Sequence, residues 1–241
     1  MTLPFRVLSL DEVAEYLHLT KDDVDSLVRS GDIPFDRQGD RMVFRQRDID
    51  AWASQRILGF SREGLKAFHK KSSIKVHDLS QKHAIIPELC KAAWCDPVMT
   101  SKTRASVIRD TVAMAEKTGL VFYAQELLKS VEERERLGST ALAGGMALLH
   151  PRNHENYMFG DSFIVLGRTI QPIPFGSPDG STSDLFFLVC CQDDRIHLHV
   201  LARICMMCHQ TSLLLELHDA QTSDEMFRLM VSAEDEIIKQ L

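Results

Sequence analysis

The sequence predicts an α/β protein in two parts, a small helical unit that carries a β-hairpin and a larger layered α/β domain. Three observations support this. Residues 8–56 follow the order helix, turn, helix, strand, strand, helix. From about residue 83, amphipathic helices alternate with strands, which is typical of layered α/β domains. The run "SDLFFLVCCQ" is typical of a strand buried on both faces. The predicted boundaries are 1–58, a linker at 59–82, and 83–241.

The first unit contains clear helix signals. Ser9 begins a helix, and Glu12 three residues later completes a capping box. Thr20 can cap a second helix, which Gly31 ends. Two short strands then flank a Gln-Gly-Asp turn, and a third helix is expected to be capped near Asp48. Helix, turn, helix and hairpin together form the winged helix-turn-helix order.

The motifs "SLDEVAEYL", "VDSLVRSGDIP" and "RMVFRQRDIDAW" resemble the excisionase-like, MerR-related family of DNA-binding domains. The candidate DNA contacts are two residues of the second helix and two of the wing: Lys21, Arg29, Arg41 and Arg45. The second helix is acidic, however, and residues 1–60 hold eight Lys and Arg against eleven Asp and Glu. Because an acidic helix repels phosphates, protein docking or a purely structural use of the fold stays open beside DNA contact.

The stretch from residue 59 to residue 82 is predicted to be a solvated linker, because it mixes glycines and a Ser-Ser pair with basic residues. In the alternative, Lys70, Lys71 and Lys75 add the phosphate contacts that the second helix lacks.

The second unit contains four predicted long helices and three strands. The helices are "TSKTRASVIRDTVAMAEKTG", beginning at Ser101 or Thr103 and stopped by Gly119, then "AQELLKSVEERERLGS", "RIHLHVLARICMMCHQ" and "SDEMFRLMVSAEDEIIKQL". The strands are "MALLH", "DSFIVLGR" and "SDLFFLVCCQ". The first of these strands follows a glycine-rich turn and ends at His150.

His150 is the candidate for chemistry. Strand ends are where α/β sheets place their sites, and we expect an accessible imidazole there. Ser139, Thr140 and the amides of the turn offer donors suited to an anion. A neutral imidazole is a competent nucleophile near neutral pH. A purely structural histidine is the alternative on these grounds alone.

The segments "ERERLGSTALAGGMALLHPR" and "QPIPFGSPDGSTSDLFFLVCCQDDRIHLHVLA" resemble the IIA domain of the fructose–mannitol class of the bacterial sugar phosphotransferase system, with nitrogen-regulatory IIA proteins as the nearest branch. The resemblance covers roughly residues 80–241 and implies a mixed-sheet α/β sandwich. It implies that His150 carries phosphate, that His197, rather than His199, lies against it, that Arg134 clamps phosphate oxygens and that Thr140 donates a hydroxyl. Two neighbours depart from the family pattern, Leu149 in place of proline and Pro151 in place of glycine.

The function that these signals predict is a cytoplasmic regulator. It accepts a phosphoryl group from a histidine-containing phosphocarrier protein and is coupled to a head that binds DNA or a regulatory protein. It is a phosphocarrier rather than a stand-alone enzyme, without cofactor or metal, and homodimers are compatible with it. The alternatives are a transcription regulator whose IIA domain only senses or dimerises, and a sugar-transport IIA component.

Composition and short motifs also exclude several classes of protein and site. The net charge of −6 argues against binding nucleic acid by bulk electrostatics. No apolar stretch is long enough to span a membrane, and the first residues lack the pattern of a signal peptide. The motif from Cys205 to His209 fits the haem attachment signature, but haem attachment requires export, and a zinc site there lacks a second ligand pair. His154 is expected in an exposed loop.

Overall fold

The computed structural model describes residues 6–17, 19–39, 41–59, 65, 83–153 and 157–240. Within these ranges the fold is α/β, as predicted, with a helix-turn-helix unit followed by a domain built on a mixed sheet. The expectations for Lys70, Lys71 and Lys75 and for His154 fall outside the described residues, as does nearly all of the predicted linker.

The N-terminal unit consists of three helices and a small antiparallel sheet of order β1-β3-β2. Its elements are β1 (Val7–Leu8), α1 (Leu10–Tyr16), α2 (Lys21–Ser30), β2 (Asp36–Gln38), β3 (Arg41–Arg45) and α3 (Gln46–Leu58). Ser9 and Thr20 both form capping boxes, and Gly31 ends α2 in the left-handed conformation at a φ of 74°. These local signals were predicted correctly.

The third helix begins earlier than the sequence predicts. Arg45, the last residue of β3, is also the N-cap of α3, and it makes no side-chain capping bond. Asp48 therefore lies inside the first turn, where its charge interacts favourably with the positive end of the helix dipole. The strand passes directly into the helix, and Arg45 belongs to both elements.

The C-terminal unit contains a five-stranded sheet of order β4-β7-β8-β6-β5. Its elements are α4 (Ile86–Leu89), β4 (Cys95–Met99), α5 (Arg104–Lys117), α6 (Ala124–Leu137), β5 (Ala141–Leu142), β6 (Met146–Leu149), β7 (Phe163–Ile173), β8 (Ser183–Cys190), α7 (Asp194–Gln210), α8 (Leu213–Asp219) and α9 (Ser223–Gln240). Strands β4 and β7 are parallel, as are β6 and β8, whereas β7–β8 and β5–β6 are antiparallel.

Helices cover both faces of this sheet. Along β6 the side chains alternate: Met146 and Leu148 enter the core shared with α7, and Ala147 and Leu149 enter the core shared with α5 and α6. This is the two-residue period of a strand. The same period directs His150, immediately after the strand, towards the side of α7.

Helix α7 is buried along most of its length. Every residue from His197 to Cys208 is buried, including the polar His197, His199 and Arg203, so this stretch lacks the exposed face of the amphipathic helix that the sequence predicts. It packs between β8, α9 and α3, and α3 belongs to the N-terminal unit. One apolar core therefore runs from the sheet through α7 into the helix-turn-helix unit.

A fully buried ion pair connects α7 with α9. Arg203 Nη1 lies 3.0 Å from Glu234 Oε1, and neither side chain is exposed. Glu234 also accepts hydrogen bonds from the backbone amides of Ile85 and Ile86 at 2.9 and 2.8 Å. These contacts fix the start of the second unit against its last helix.

Among the described residues no single helix has the length and apolar composition to cross a membrane. One pair of helices, Ile196–Gln210 and Leu213–Asp219, has that length and composition together, but the pair is bent by 81°.

Candidate functional site

His150 lies just beyond the end of β6, and its two ring nitrogens have different partners. Nδ1 is 2.9 Å from the carbonyl oxygen of Leu148, and Nε2 is 2.9 Å from Nε of Arg134. A carbonyl only accepts and a guanidinium N–H only donates. We therefore assign the proton to Nδ1 and the lone pair to Nε2. This tautomer makes Nε2 the nucleophilic nitrogen.

Arg134, in the last turn of α6, is 2% exposed and contacts the site through its guanidinium. Nη1 donates to the carbonyl of Gly138 at 3.0 Å, while Nη2 is buried and has no hydrogen-bond partner among the described residues. Burial lowers the pKa of Arg134, and the charge of Glu135 partly opposes this. In a guanidinium the N–H groups of Nε and Nη2 point the same way along one edge, the fork that binds two oxygens of one anion. One arm of that fork faces Nε2 of His150.

His197, near the start of α7, packs directly on His150. The ring centroids are 4.7 Å apart at an interplanar angle of 50°, and His197 is 1% exposed. His199 is also fully buried, but it lies two residues further along the helix and so about 200° around its axis. The two histidines of this doublet therefore face different surroundings, and it is His197 that contacts His150.

The hydroxyl proton of Thr140 is engaged by Glu135 and so is not available for the predicted role. Its hydroxyl and its amide both donate to Oε2 of Glu135, at 2.7 and 3.1 Å. The neighbouring Ser139 donates its hydroxyl to the carbonyl of Phe175 at 2.6 Å. A buried carboxylate needs hydrogen-bond donors, and Glu135 takes the hydroxyl and amide of Thr140, which the sequence predicts as donors to an anion.

Glu135 is the residue of this region that sequence reasoning missed. It is 5% exposed, and Oε1 lies 4.0 Å from Nη1 of Arg104. Burial raises the pKa of Glu135, and the two hydrogen bonds from Thr140 oppose that shift. A signal was present, because an acidic residue in the last turn of a helix is unfavourable with the dipole and requires a compensating contact.

The His150 ring is closed off rather than accessible as predicted, because only 2% of the residue is exposed. Pro151 after it is also buried and has no amide hydrogen to offer. The next amide, that of Arg152, donates to the carbonyl and hydroxyl oxygens of Ser130 at 3.2 and 3.0 Å. Among the described residues, Arg134 donates a hydrogen bond to Nε2.

The four candidate DNA contacts are all exposed on the N-terminal unit. Nζ of Lys21 lies 2.8 Å from Asp11, and Nη2 of Arg45 lies 2.8 Å from Asp36. Arg29 is in the last turn of α2 and Arg41 begins β3. Exposed ion pairs of this kind contribute little energy, so they do not prevent contact with phosphates.

Cys205 and Cys208 are buried in α7, whereas His209 is exposed, so the three side chains of the haem-like motif do not converge. Over the part of the chain that the structure describes, no group of three or more His, Cys, Asp or Glu side chains could hold a metal ion.

Comparison with known proteins identifies both units. Residues 70–233 match the model of the family described as phosphoenolpyruvate-dependent sugar phosphotransferase system, EIIA 2. The chain belongs to this EIIA 2 family. Residues 7–57 match a helix-turn-helix domain. Both resemblances seen in the sequence are thereby confirmed.

Among curated relatives, the nitrogen regulatory protein of Klebsiella oxytoca is 29% identical over 138 residues, covering 55% of this chain and 80% of that protein. The nitrogen regulatory protein of Escherichia coli (strain K12) is 27% identical over 139 residues, covering 56% and 80%.

Solved structures share the fold of the EIIA unit. Nitrogen regulatory protein IIA-Ntr from Neisseria meningitidis superposes with a TM-score of 0.55 at 22% identity, covering 61% of this chain and 99% of that one. IIA mannitol from Escherichia coli gives a TM-score of 0.52 at 18% identity, covering 58% and 98%. The same fold occurs in a complex of enzyme IIA mannitol with phosphorylated enzyme IIB mannitol, with a TM-score of 0.52 at 18% identity over 59% and 97% of the chains.

Proposed function

We propose that this protein accepts a phosphoryl group on Nε2 of His150 from a histidine-containing phosphocarrier protein. In this proposal it is a cytoplasmic regulator, and its helix-turn-helix head conveys the phosphorylation state to DNA or to a regulatory protein. The observation that carries the proposal is the contact of Nε2 of His150, to which we assign the lone pair, with the buried fork of Arg134, beside the ring of His197.

The transfer step follows from this geometry. The phosphorus–nitrogen bond of the carrier's phosphohistidine breaks as a bond from Nε2 to phosphorus forms, and the electron pair of the broken bond returns to the carrier's imidazole. Nδ1 of His150 keeps its proton and stays anchored to the Leu148 carbonyl. Transition states of this kind are loose and spread charge over the equatorial oxygens, so positioning and charge stabilisation dominate.

Arg134 provides that stabilisation. When Nε2 binds phosphorus, the N–H of Nε loses its acceptor and becomes available to a phosphoryl oxygen. Nη2 on the same edge is buried, has no hydrogen-bond partner in the part of the chain that the structure describes, and can take a second oxygen. His197, in ring contact with His150, lines the other side of the same group. Thr140 has no direct part in this scheme; through Glu135 it holds the helix end and the turn together.

The test is phosphate incorporation from phosphoenolpyruvate through the general phosphotransferase enzyme and the phosphocarrier protein. We expect the wild-type chain to be labelled and His150→Ala not to be. His83→Ala is the matched control, because it removes a histidine that pairs with Glu88 at 2.9 Å on the surface, and it should be labelled normally. Labelling of His150→Ala, or none of the wild type, would contradict the proposal.

DNA is the second partner in the proposal, and the exposed wing supports it. Because phosphate contacts are salt-dependent, promoter DNA should bind in an electrophoretic shift at low salt and dissociate at higher salt. Arg41→Glu should weaken that shift. Absence of a shift at both salt concentrations would exclude DNA contact and leave protein docking or a purely structural use of the head.

The sugar-transport alternative makes a distinct demand. A IIA component for transport passes its phosphate to a IIB protein, as in the solved mannitol complex. After labelling, incubation with a purified IIB domain separates the two functions: the regulatory proposal expects the label to stay on this chain.

A further inference from the structure

The two histidines of the site are enclosed. His150 and His197 are 2% and 1% exposed, and a phosphoryl donor must approach Nε2 in line with the bond that forms. No second protein can bring a phosphohistidine to Nε2 while both side chains are enclosed in this way. The described conformation is therefore closed, and some element must move before transfer.

Helix α3 of the helix-turn-helix unit covers the element that carries His197. It packs along α7, which is buried on all sides from His197 to Cys208. Three residues of α3 at four-residue spacing, Ile49, Ala53 and Ile57, are at most 3% exposed and belong to the same apolar core as α7. Without α3, the outer side of α7 would be an apolar surface in contact with water.

The same helix reaches the other wall of the site. At Gly138 an added Cβ would lie only 2.9 Å from Nε2 of Gln55, so the Gln55 amide rests directly against that glycine. The carbonyl of Gly138 accepts the hydrogen bond from Nη1 of Arg134, and Arg134 in turn donates to His150. Helix α3 thus contacts the element behind His197 and the turn that holds Arg134.

We propose that α3 is an intramolecular lid on the phosphoacceptor site, so that the helix-turn-helix unit and the phosphocarrier protein compete for one face of the EIIA domain. This inference rests on the function proposed above and concerns its regulation. The docked head keeps the outer side of α2 exposed, including Lys21 and Arg29. Docking therefore leaves α2 accessible and determines the orientation of the head relative to the EIIA domain.

Reciprocity follows from the competition. Because the head and the carrier compete for one face, binding of the carrier favours undocking of α3 by the same factor by which undocking favours binding of the carrier. The carrier's apparent rate then scales with the fraction of molecules that are open. We expect the phosphoryl group, which needs space beside the enclosed ring of His150, to fit the open form better than the closed one, so that phosphorylation also releases the head.

The experiment locks the lid in the full-length chain. Gln55→Cys and Gly138→Cys are combined and joined by a short bis-methanethiosulfonate cross-linker, which reductant removes. The six native cysteines are buried, which directs the reagent to the new pair. The reduced double variant is the matched control, because it has the same sequence. Phosphate incorporation from phosphoenolpyruvate through the carrier is then followed in time.

We expect the linked protein to be labelled at least ~10-fold more slowly than the reduced one, because the link removes open molecules, and reductant to restore the rate. In the reverse order, prior phosphorylation of the reduced variant should slow cross-linking. Equal labelling of linked and reduced protein, or failure of the pair to cross-link, overturns the lid while leaving the proposed function intact. Absence of labelling in the wild type overturns both.

Discussion

Replacing Arg134 tests the chemistry of the site most sharply, because the expected loss is much larger for rate than for stability. Arg134→Lys keeps the charge but removes the fork formed by Nε and Nη2. Loss of one preorganised donor to a developing oxyanion typically costs ~10²–10³ in rate. We therefore expect phosphate incorporation into Arg134→Lys to fall by about 10²-fold, and Arg134→Gln, which also loses the charge, to fall further.

The effect on stability should be modest. Burial lowers the pKa of Arg134, which means that its charge is held in the protein at a cost. Against this, substitution loses the bond from Nη1 to the Gly138 carbonyl, worth about 1–3 kcal/mol when a buried acceptor is left unpaired. The free energy of unfolding in urea should change by no more than roughly that amount.

Arg136→Lys on the same helix is the matched control. Arg136 is exposed, and Nη2 lies 3.5 Å from Glu132 on the surface, so its rate of labelling should match the wild type. The reasoning is refuted if Arg134→Lys is labelled as fast as Arg136→Lys. It is also refuted if the slow labelling is accompanied by a collapse in stability, because the rate would then report unfolding.

Three further predictions concern stability and the head. Burial raises the pKa of Glu135 above 4.5, so its contribution to stability is full below that pH and is lost as pH rises through the raised pKa. Glu135→Gln does not titrate, and its amide oxygen can still accept from Thr140, so its unfolding free energy should rise relative to wild type as pH increases from 4.5. Parallel pH profiles of the two proteins would contradict this. Arg203→Met leaves the Glu234 carboxylate buried without its cation and should lower the unfolding free energy by about 3–5 kcal/mol in urea titrations, whereas no loss would mean that the pair is not desolvated. Arg41→Glu should weaken DNA binding and reduce its dependence on salt, both measured by fluorescence anisotropy. An unchanged affinity would exclude Arg41 of the wing as a DNA contact.

The fold was predictable where the signal is local. The capping boxes at Ser9 and Thr20 and the left-handed Gly31 are encoded within four residues, and each appears where the sequence places it. Strand β4 was missed because it is five residues long and contains Pro97, which weakens any strand signal. The helices α4 and α8 are too short to show a helical period.

The structure brings His150, Arg134 and His197 together as the sequence predicts, but the sequence does not give the orientations of the side chains around them. Sequence order places Thr140 in the turn before His150. It does not give the partner of the Thr140 hydroxyl, which is Glu135. The sequence predicts an amphipathic helix at α7, because nothing local indicates that a helix of the other unit covers its outer side. Contacts between segments far apart in the chain, such as Gln55 against Gly138 and His197 against His150, are not encoded in any local pattern.

The central claim is that Nε2 of His150 carries the phosphoryl group. After labelling through the phosphocarrier protein, mass spectrometry under alkaline conditions locates the modified residue, and nitrogen-edited NMR of the labelled chain identifies the substituted ring nitrogen. The account predicts phosphate on His150 alone, attached to Nε2, with Nδ1 still protonated. Phosphate on Nδ1, on His197 or on any other residue, or a chain that remains unmodified, would contradict it.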